Sequence, residues 1–361
     1  MLAIVTGMVG VDKKRYLEEV CGVARAKGTD VLLCNVGDMM YVEAPDITPS
    51  KILDIPMKRL HELQRNAFDR IIAQSQTHSD MIINTHATFR WRNVLFPGID
   101  IDQIRQLKPD VYICILDGVE TLHRRLTSEH PIGHTLKDLL VWREEEILGT
   151  EMLRRSVDES KPLYLMARGI HETTAAACYQ LLFERDRKKV YLSFPMTHVM
   201  GMPALQRKID DWRLQMKEIF TSFDPGDLEE AHLPGMARQA KERGEKTIET
   251  MAGGQKVTLL VDEVIEAIKD INSQIYTRDF ILIDQADMIV SFIPAMSDGR
   301  AALSSGVERE LQHAHEAAKE VYVIWDVQKA PSVFVTQTAT RVFYGVEEAI
   351  EYFHKRYARQ A

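Results

Sequence analysis

Acidic side chains recur through the stretch from Tyr276 to Leu311, among them Asp279, Asp284, Asp287, Glu308 and Glu310. A helical pattern carrying Asp279 runs into the apolar run Met288 to Ile293. A polar loop follows, and a second helical pattern opens with Glu310 in its first turns. In an α/β sheet this order delivers Asp279 and Glu310 to the carboxyl edge of neighbouring strands, where open sheets bind ligands. Two carboxylates at one pocket are equipment for breaking a glycosidic bond. One stabilises or bonds the anomeric carbon as positive charge builds there, and the other orients it or exchanges a proton with the leaving group. Glu310 is the candidate nucleophile and Asp279 its assistant. Burial and mutual repulsion should separate their pKa values. Small donors for the sugar or a phosphate are available in Ser193, Ser304 and the backbone around Ser305 and Gly306, at a helix start with exposed N–H groups. Arg278 and Arg309 suit either a phosphate or a surface ion pair. Glu308 should face away from Glu310, and Asp284 should face solvent. Asp287 either joins the substrate site or caps its strand.

A second constellation lies at the start of the chain. Leu2 to Thr6 reads as a buried strand, Gly7-Met-Val-Gly10-Val-Asp12-Lys13-Lys14 as a turn, and Arg15 to Lys27 as a helix. Free N–H groups at such a helix start make a phosphate cradle. Against the phosphate-loop pattern G-x-x-x-x-G-K-[ST], Gly7 and Lys13 fit. Asp12 stands at the second Gly and puts a negative charge beside the phosphates. Lys14 stands at the Ser/Thr and removes the hydroxyl that would hold Mg²⁺. Arg124 and Arg125 could clamp phosphates or line a solvated helix face. His86 reads as a hydrogen-bonded structural residue. His123, His130 and His134 lack metal-ligand spacing, and no metal is expected.

The elements that must position these groups alternate. In the first half, strands at Val31–Asn35, Asp80–Ala87, ending in polar residues, and Leu107–Asp117 are separated by helical patterns at 51–76, 119–126 and 137–155, with a turn at 95–98. In the second half, a strand at Val190–Ser193 leads to an amphipathic helix over 203–220, whose Trp212 and Met216 stripe reads as core. Glu229 to Gly254 reads as an insertion or flexible loop near the pocket mouth, and Val257 to Ser273 as helix. Val321–Trp325 is a strand and 346–357 the final helix. Such alternation predicts an α/β protein of two Rossmann-like three-layer domains, each with a mostly parallel sheet. The charged run Glu184–Lys189 marks the boundary, giving domains over 1–186 and 187–361.

Composition bounds the function classes. A length of 361 residues allows two cores, and 45% hydrophobic with 27% charged residues is ordinary for a globular protein. A net charge of −8 argues against a nucleic-acid-coating surface. Cys21, Cys34, Cys114 and Cys178 show no C-x-x-C spacing and read as free thiols of a reducing compartment. No apolar run is long enough to span a bilayer. The start, Met1 to Val5, lacks the length and basic flank of a signal peptide, which places the protein in the cytoplasm.

Two resemblances join these readings. The array Arg278-Asp279, a helical spacer, Ala286-Asp287, an apolar strand and Gly306-Val307-x-x-Glu310-Leu311 resembles the nucleoside 2-deoxyribosyltransferases and the related deoxynucleoside 5'-monophosphate N-glycosidases. The family's opening Ser-Gly-Pro is matched by Ser193-Phe194-Pro195, with Phe194 replacing Gly. This resemblance implies Glu310 as nucleophile and Asp279 as its assistant. It implies a substrate site including Ser193, Pro195, Asp287, Ser304, Ser305 and Gly306, chemistry without a cofactor, and a homo-oligomer. Residues 1 to 180 resemble the archaeal type of adenylate kinase. The carriers are the first strand and loop, Asn84-Thr85-His86-Ala87, Phe96-Pro97-Gly98, Lys108-Pro109-Asp110 and Arg124-Arg125-Leu126. That resemblance implies ATP or another nucleotide held by Gly7, Gly10, Lys13, Arg124 and Arg125, although Asn84 replaces the family's Asp. The functions left open are cleavage or transfer of an N-glycosidic bond beside a nucleotide-binding domain, a nucleoside-monophosphate kinase, and a non-catalytic nucleotide sensor or assembly module. Each has a nucleoside or nucleotide partner, and none a nucleic acid or a membrane.

Overall fold

A computed structural model describes residues 1–48, 51–91, 94–128, 133–169, 172–196, 199 and 201–357. His130 lies outside them. The chain divides into two compact units, Met1–Phe183 with Pro234–Ile268, and Glu184–Leu233 with Lys269–Ala361. Each is an α/β sandwich around a parallel five-stranded sheet, as the alternating pattern predicts.

In the first unit the chain runs β1 (Leu2–Thr6), α1 (Lys13–Ala26), β2 (Leu32–Asn35), α2 (Val36–Glu43), α3 (Met57–Ser75) and β3 (Met81–Asn84). It continues through β4 (Thr88–Trp91), β5 (Val94–Pro97), α4 (Ile101–Leu107), β6 (Val111–Leu116), α5 (Val119–Ser128), α6 (Leu136–Asp158), β7 (Leu163–Ala167) and α7 (Glu172–Phe183). The sheet order is β2-β3-β1-β6-β7. β1 and β6 are buried along their whole length, so they carry continuous apolar runs. The turn read at 95–98 is instead the far strand of the β4–β5 hairpin. Gly98 follows it, where a Cβ would stand 2.3 Å from the His86 carbonyl oxygen.

The second unit begins with β8 (Lys189–Ser193), α8 (Pro203–Ile219) and β9 (Thr221–Phe223). The region read as a loop is ordered. It forms a 3₁₀ turn at Glu229–His232, then α9 (Leu233–Glu242), β10 (Thr247–Ala252) and β11 (Gln255–Leu260). Gly253 and Gly254, with φ of 57° and 75°, supply the left-handed turn between β10 and β11. Alternating exposure along both strands marks a one-sided hairpin; α9, β10 and β11 belong to the first unit, where the hairpin packs on α5. The helix expected from Val257 therefore starts later, as α10 (Val261–Gln285). After it come β12 (Met288–Pro294), α11 (Ser305–Glu316), β13 (Glu320–Asp326), α12 (Val333–Thr338), β14 (Arg341–Phe343) and α13 (Val346–Tyr357).

The second sheet has the order β14-β13-β12-β8-β9. The connections leave β8 in one direction and β12 in the other, so the topological switch lies between these two strands. Val190, Leu192 and Phe194 alternate onto one face, where they join Trp212, Met216, Phe292 and Phe353 in the core. Tyr191 and Ser193 face the other side. Phe194 thus packs edge-on to Trp212, on the face opposite Ser193. No helix among the described residues is long and apolar enough to cross a membrane. All four cysteines are free thiols.

Candidate functional site

The second unit gathers its chemistry at the switch between β8 and β12. Ser193 ends β8, and Tyr191 precedes it by two, so both project from the same face. α11 starts after the β12 loop and is capped by Ser304, whose Oγ accepts the Val307 amide hydrogen at 3.2 Å. One turn further on stands Glu310. Its Oε2 accepts a hydrogen bond from Ser193 Oγ at 2.6 Å, and its Oε1 accepts one from Tyr191 OH at 3.2 Å. Tyr191 and Ser193 are wholly buried, and Glu310 is partly exposed.

Asp279 comes from α10, nearly two turns before its end, and not from a strand end. Its Oδ1 is buried and has no hydrogen-bond partner. Burial raises the Asp279 carboxyl to about 6, against the pull of Arg278, and Glu230 adds to the rise. Burial and the charge of Asp279 push Glu310 to about 7, against the donors Ser193 and Tyr191. Both carboxyls therefore hold a proton above the usual carboxylate range, Glu310 to higher pH than Asp279. Ser193 and Tyr191 pull Glu310 toward its ionised form, and the unpaired Oδ1 of Asp279 has no such donor. Burial and both carboxylates in turn push Tyr191 well up, so it stays a donor.

Of the residues read from sequence, Glu310, Asp279 and Ser193 come together. Pro195 is buried just beyond Ser193, while Ser305 and Gly306 lie exposed in the first turn of α11. The hydroxyl of Ser304 is committed to the helix cap. Asp287 is not brought to this cluster. It precedes β12, and its carboxylate accepts the Lys189 amide hydrogen at 2.8 Å and pairs with Lys189 Nζ at 3.3 Å. Those are the amino ends of β12 and β8, the opposite edge of the sheet. Arg278 is not open to a phosphate, because its Nη1 donates to Glu230 at 2.6 Å in a buried pair. Glu308 and Arg309 are exposed, as is Asp284, which pairs with His313 at 2.7 Å. Tyr191, Ser291 and Glu230 are additions to the sequence reading. Alternation along β8 and β12 could have found the first two, since Ser291 sits beside Ser193 in the register and its Oγ is buried without a partner. Glu230 gave no signal, because its turn looked like a charged loop.

In the first unit the loop after β1 has the backbone of a phosphate cradle. Gly7, Gly10 and Asp12 have φ of 145°, 91° and 60°. Its polar groups are engaged from within. Lys13 is buried and its Nζ donates to the Gly7 carbonyl and lies 3.1 Å from His86 Nδ1. Burial lowers Lys13 to about 8, against the attraction of Glu146. Glu146, buried on α6, accepts from the amides of Gly7, Ala87 and Thr88 and from the Thr88 hydroxyl. Arg125 turns inward, donating to the carbonyls of Gly10 and Val11 at 3.0 Å and to Asp117 at 2.7 Å. Arg124 reaches Gln255 of the hairpin at 3.0 Å. Lys14 points outward to Asp38 at 2.7 Å. Arg168, beyond β7, lies 3.7 Å from Asp12 with its Nε buried and unpartnered. The side chains and backbone suit phosphate oxygens, while no hydroxyl stands at the Lys14 position for a magnesium ion.

Comparison with known proteins bears on this unit. The family described as AAA domain matches residues 6–137. The adenylate kinase of Pyrococcus horikoshii is 27% identical over 161 residues, which is 44% of this chain and 74% of that protein. That of Methanococcus vannielii is 26% identical over 132 residues, 36% of this chain and 69% of the relative. That of Methanopyrus kandleri is 28% identical over 128 residues, 34% and 65% of the two chains. The first unit is kinase-like. The matched segments include the loop from Gly7 to Lys13.

Proposed function

We propose that the second unit cleaves or exchanges the N-glycosidic bond of a nucleoside or nucleotide, and that the kinase-like unit binds a nucleotide at its Gly7–Lys13 loop. The observation that carries this reading is the clamped carboxylate of Glu310, held by Ser193 and Tyr191 at the strand switch with the buried carboxyl of Asp279 acting on it. A carboxylate fixed by two donors keeps one lone pair aimed outward while its charge is available to an oxocarbenium-like centre. In the forward step a Glu310 oxygen bonds C1' as the C1'–N bond breaks. The bonding pair leaves on the base nitrogen, which takes the proton held by Asp279. In the second step water, or the nitrogen of another base, attacks C1' and releases Glu310. The proton lost by the attacking group returns to Asp279. Water makes the enzyme a hydrolase, and a second base makes it a transferase. This chemistry calls on no cofactor.

Incubation with a panel of nucleosides and nucleotides, followed by chromatography for free base, tests the reading. Wild type should release base from at least one of them and Glu310→Ala should not. No release by wild type from any of them refutes it. A second reading, phosphoryl transfer between nucleotides, is supported by the adenylate kinase relatives. It predicts ATP-dependent transfer that survives Glu310→Gln and is lost in Lys13→Ala. The inward-turned Lys13, the missing hydroxyl at Lys14 and Asn84, whose amide is bonded to Asn35 at 2.8 Å, favour binding over transfer.

A further inference from the structure

Glu230 is wholly buried on the 3₁₀ turn at Glu229–His232, and its Oε1 lies 2.6 Å from Nη1 of the buried Arg278. A buried ion pair is a costly way to stabilise a fold, since a well-packed apolar pair does as well or better. Its position makes another use of it. Arg278 precedes Asp279 in α10, and the Asp279 Oδ1 is buried with no donor. An uncompensated guanidinium next to that carboxyl would hold it ionised, with nothing to give a leaving base. A cation beside an Asp typically lowers its pKa by about 1–3 units.

We propose that Glu230 is a positioning residue for the acid step: by neutralising Arg278 it leaves Asp279 free to carry the proton delivered to the departing base. This rests on the role of Asp279 given above. The charged and titratable groups that face Asp279 are Arg278 on its own helix, Glu230 on the turn, Glu310 on α11 and Tyr191 on β8. Of these, Glu230 and Arg278 act in opposite senses, so the pair can be dissected. Glu230→Gln leaves Arg278 unopposed, Arg278→Met leaves Glu230 unopposed, and the double variant removes both charges.

The experiment follows the Asp279 carboxyl by carbon NMR in the full chain without ligand, beside the pH profile of base release. Glu230→Gln should move the Asp279 titration down by about one pH unit, and Arg278→Met should move it up by about as much. The double variant should return it to the wild-type position. The alkaline limb of kcat/KM should move in the same directions, because it reports loss of the acid. Singles that leave the titration in place, or move it the same way, overturn the proposal. So does a double variant that fails to restore it. If one single does not fold, the sign from the other and the restoration in the double still decide. Absence of base release by wild type would overturn the glycosidic reading and the assigned use of the proton. The NMR shifts would still report separately whether Glu230 offsets Arg278.

Discussion

Glu310→Gln should stabilise the second unit at pH 8 while abolishing base release. The gain follows from burial of the carboxyl. Its ordinary value of 4.5 is raised to about 7 in the fold, by desolvation first and by Asp279 second. A carboxyl raised in the folded state gives stability that is fully present below the unfolded value and lost as pH rises through the folded one. The window is therefore pH 4.5 to 7. At about 1.4 kcal/mol per pH unit, the ionised side chain costs roughly 3 kcal/mol at pH 8. Gln removes that charge but serves Ser193 and Tyr191 less well, a loss of about 1 kcal/mol. The net gain is about 2 kcal/mol, or roughly 4–8 °C in midpoint for a unit of this size. Hydrogen exchange of the β8 and β12 amides, measured at pH 5 and pH 8, resolves the second unit from the first. The variants should be nearly equal at pH 5 and separate at pH 8. A Gln variant that is less stable at pH 8, or a difference that does not change with pH, would mean that Glu310 is solvated in the free protein, and the reasoning from desolvation would fail.

Asp224 is wholly buried with Arg213 Nε and Lys217 Nζ each at 2.8 Å. Although burial acts to raise it, those two cations hold its carboxyl down at about 2. Asp224→Asn should cost about 3–5 kcal/mol by leaving two buried cations under-compensated, read as a urea midpoint. The stability it supplies is present above pH 3.8 and is lost as pH falls toward about 2. Gly7→Ala should destabilise the first unit by roughly 1–3 kcal/mol, because a Cβ at φ 145° would meet the Ile115 carbonyl oxygen at 2.6 Å. Thermal melting of the full chain checks it. Lys13→Met should weaken nucleotide binding about tenfold by calorimetry at pH 7. It should also abolish the rise in stability that the wild type shows between pH 8 and 10.5, where the unfolded lysine holds a proton that the folded one has lost.

Both parallel sheets were legible because buried parallel strands are written as unbroken apolar runs, as in Met288–Ile293 and Val111–Leu116. Glu310, Asp279 and Ser193 were legible through their spacing around such runs. The β10–β11 hairpin was missed because its Gly253-Gly254 turn sits among charged residues, so Val257 read as the start of a helix. The two-residue period there is visible only once the Gly pair is taken as a turn. Asp287 was misplaced for a different reason. Sequence order puts it beside Asp279, but it lies just before β12, whose direction carries it to the amino edge. Arg125 and Glu146 have a further lesson. A basic residue near a phosphate loop reads as a clamp or as a solvated helix face. The hydrogen-bond acceptors that turn Arg125 inward, and the three amides that bury Glu146, come from segments distant in sequence.

Both units place unfavourable free energy where ligand chemistry is proposed. In the first, a non-glycine residue, Asp12, takes the left-handed conformation that opens α1, and Lys13 is buried at the price of a lowered pKa. In the second, two carboxyls are desolvated at one switch point, with Asp279 Oδ1 and Ser291 Oγ lacking partners. Packing alone does not require any of these, since apolar side chains of similar size would fill the same volumes at lower cost. Costs of this kind fall where a ligand will offset them. A phosphate would recover the charge of Lys13, and a sugar with its base would offer donors and a developing cation to the carboxylates. The kinase-like loop keeps the strained backbone for anion binding but has no hydroxyl at Lys14 and no carboxylate at Asn84. On the proposed reading, that unit holds a nucleotide and bond-breaking falls to Glu310.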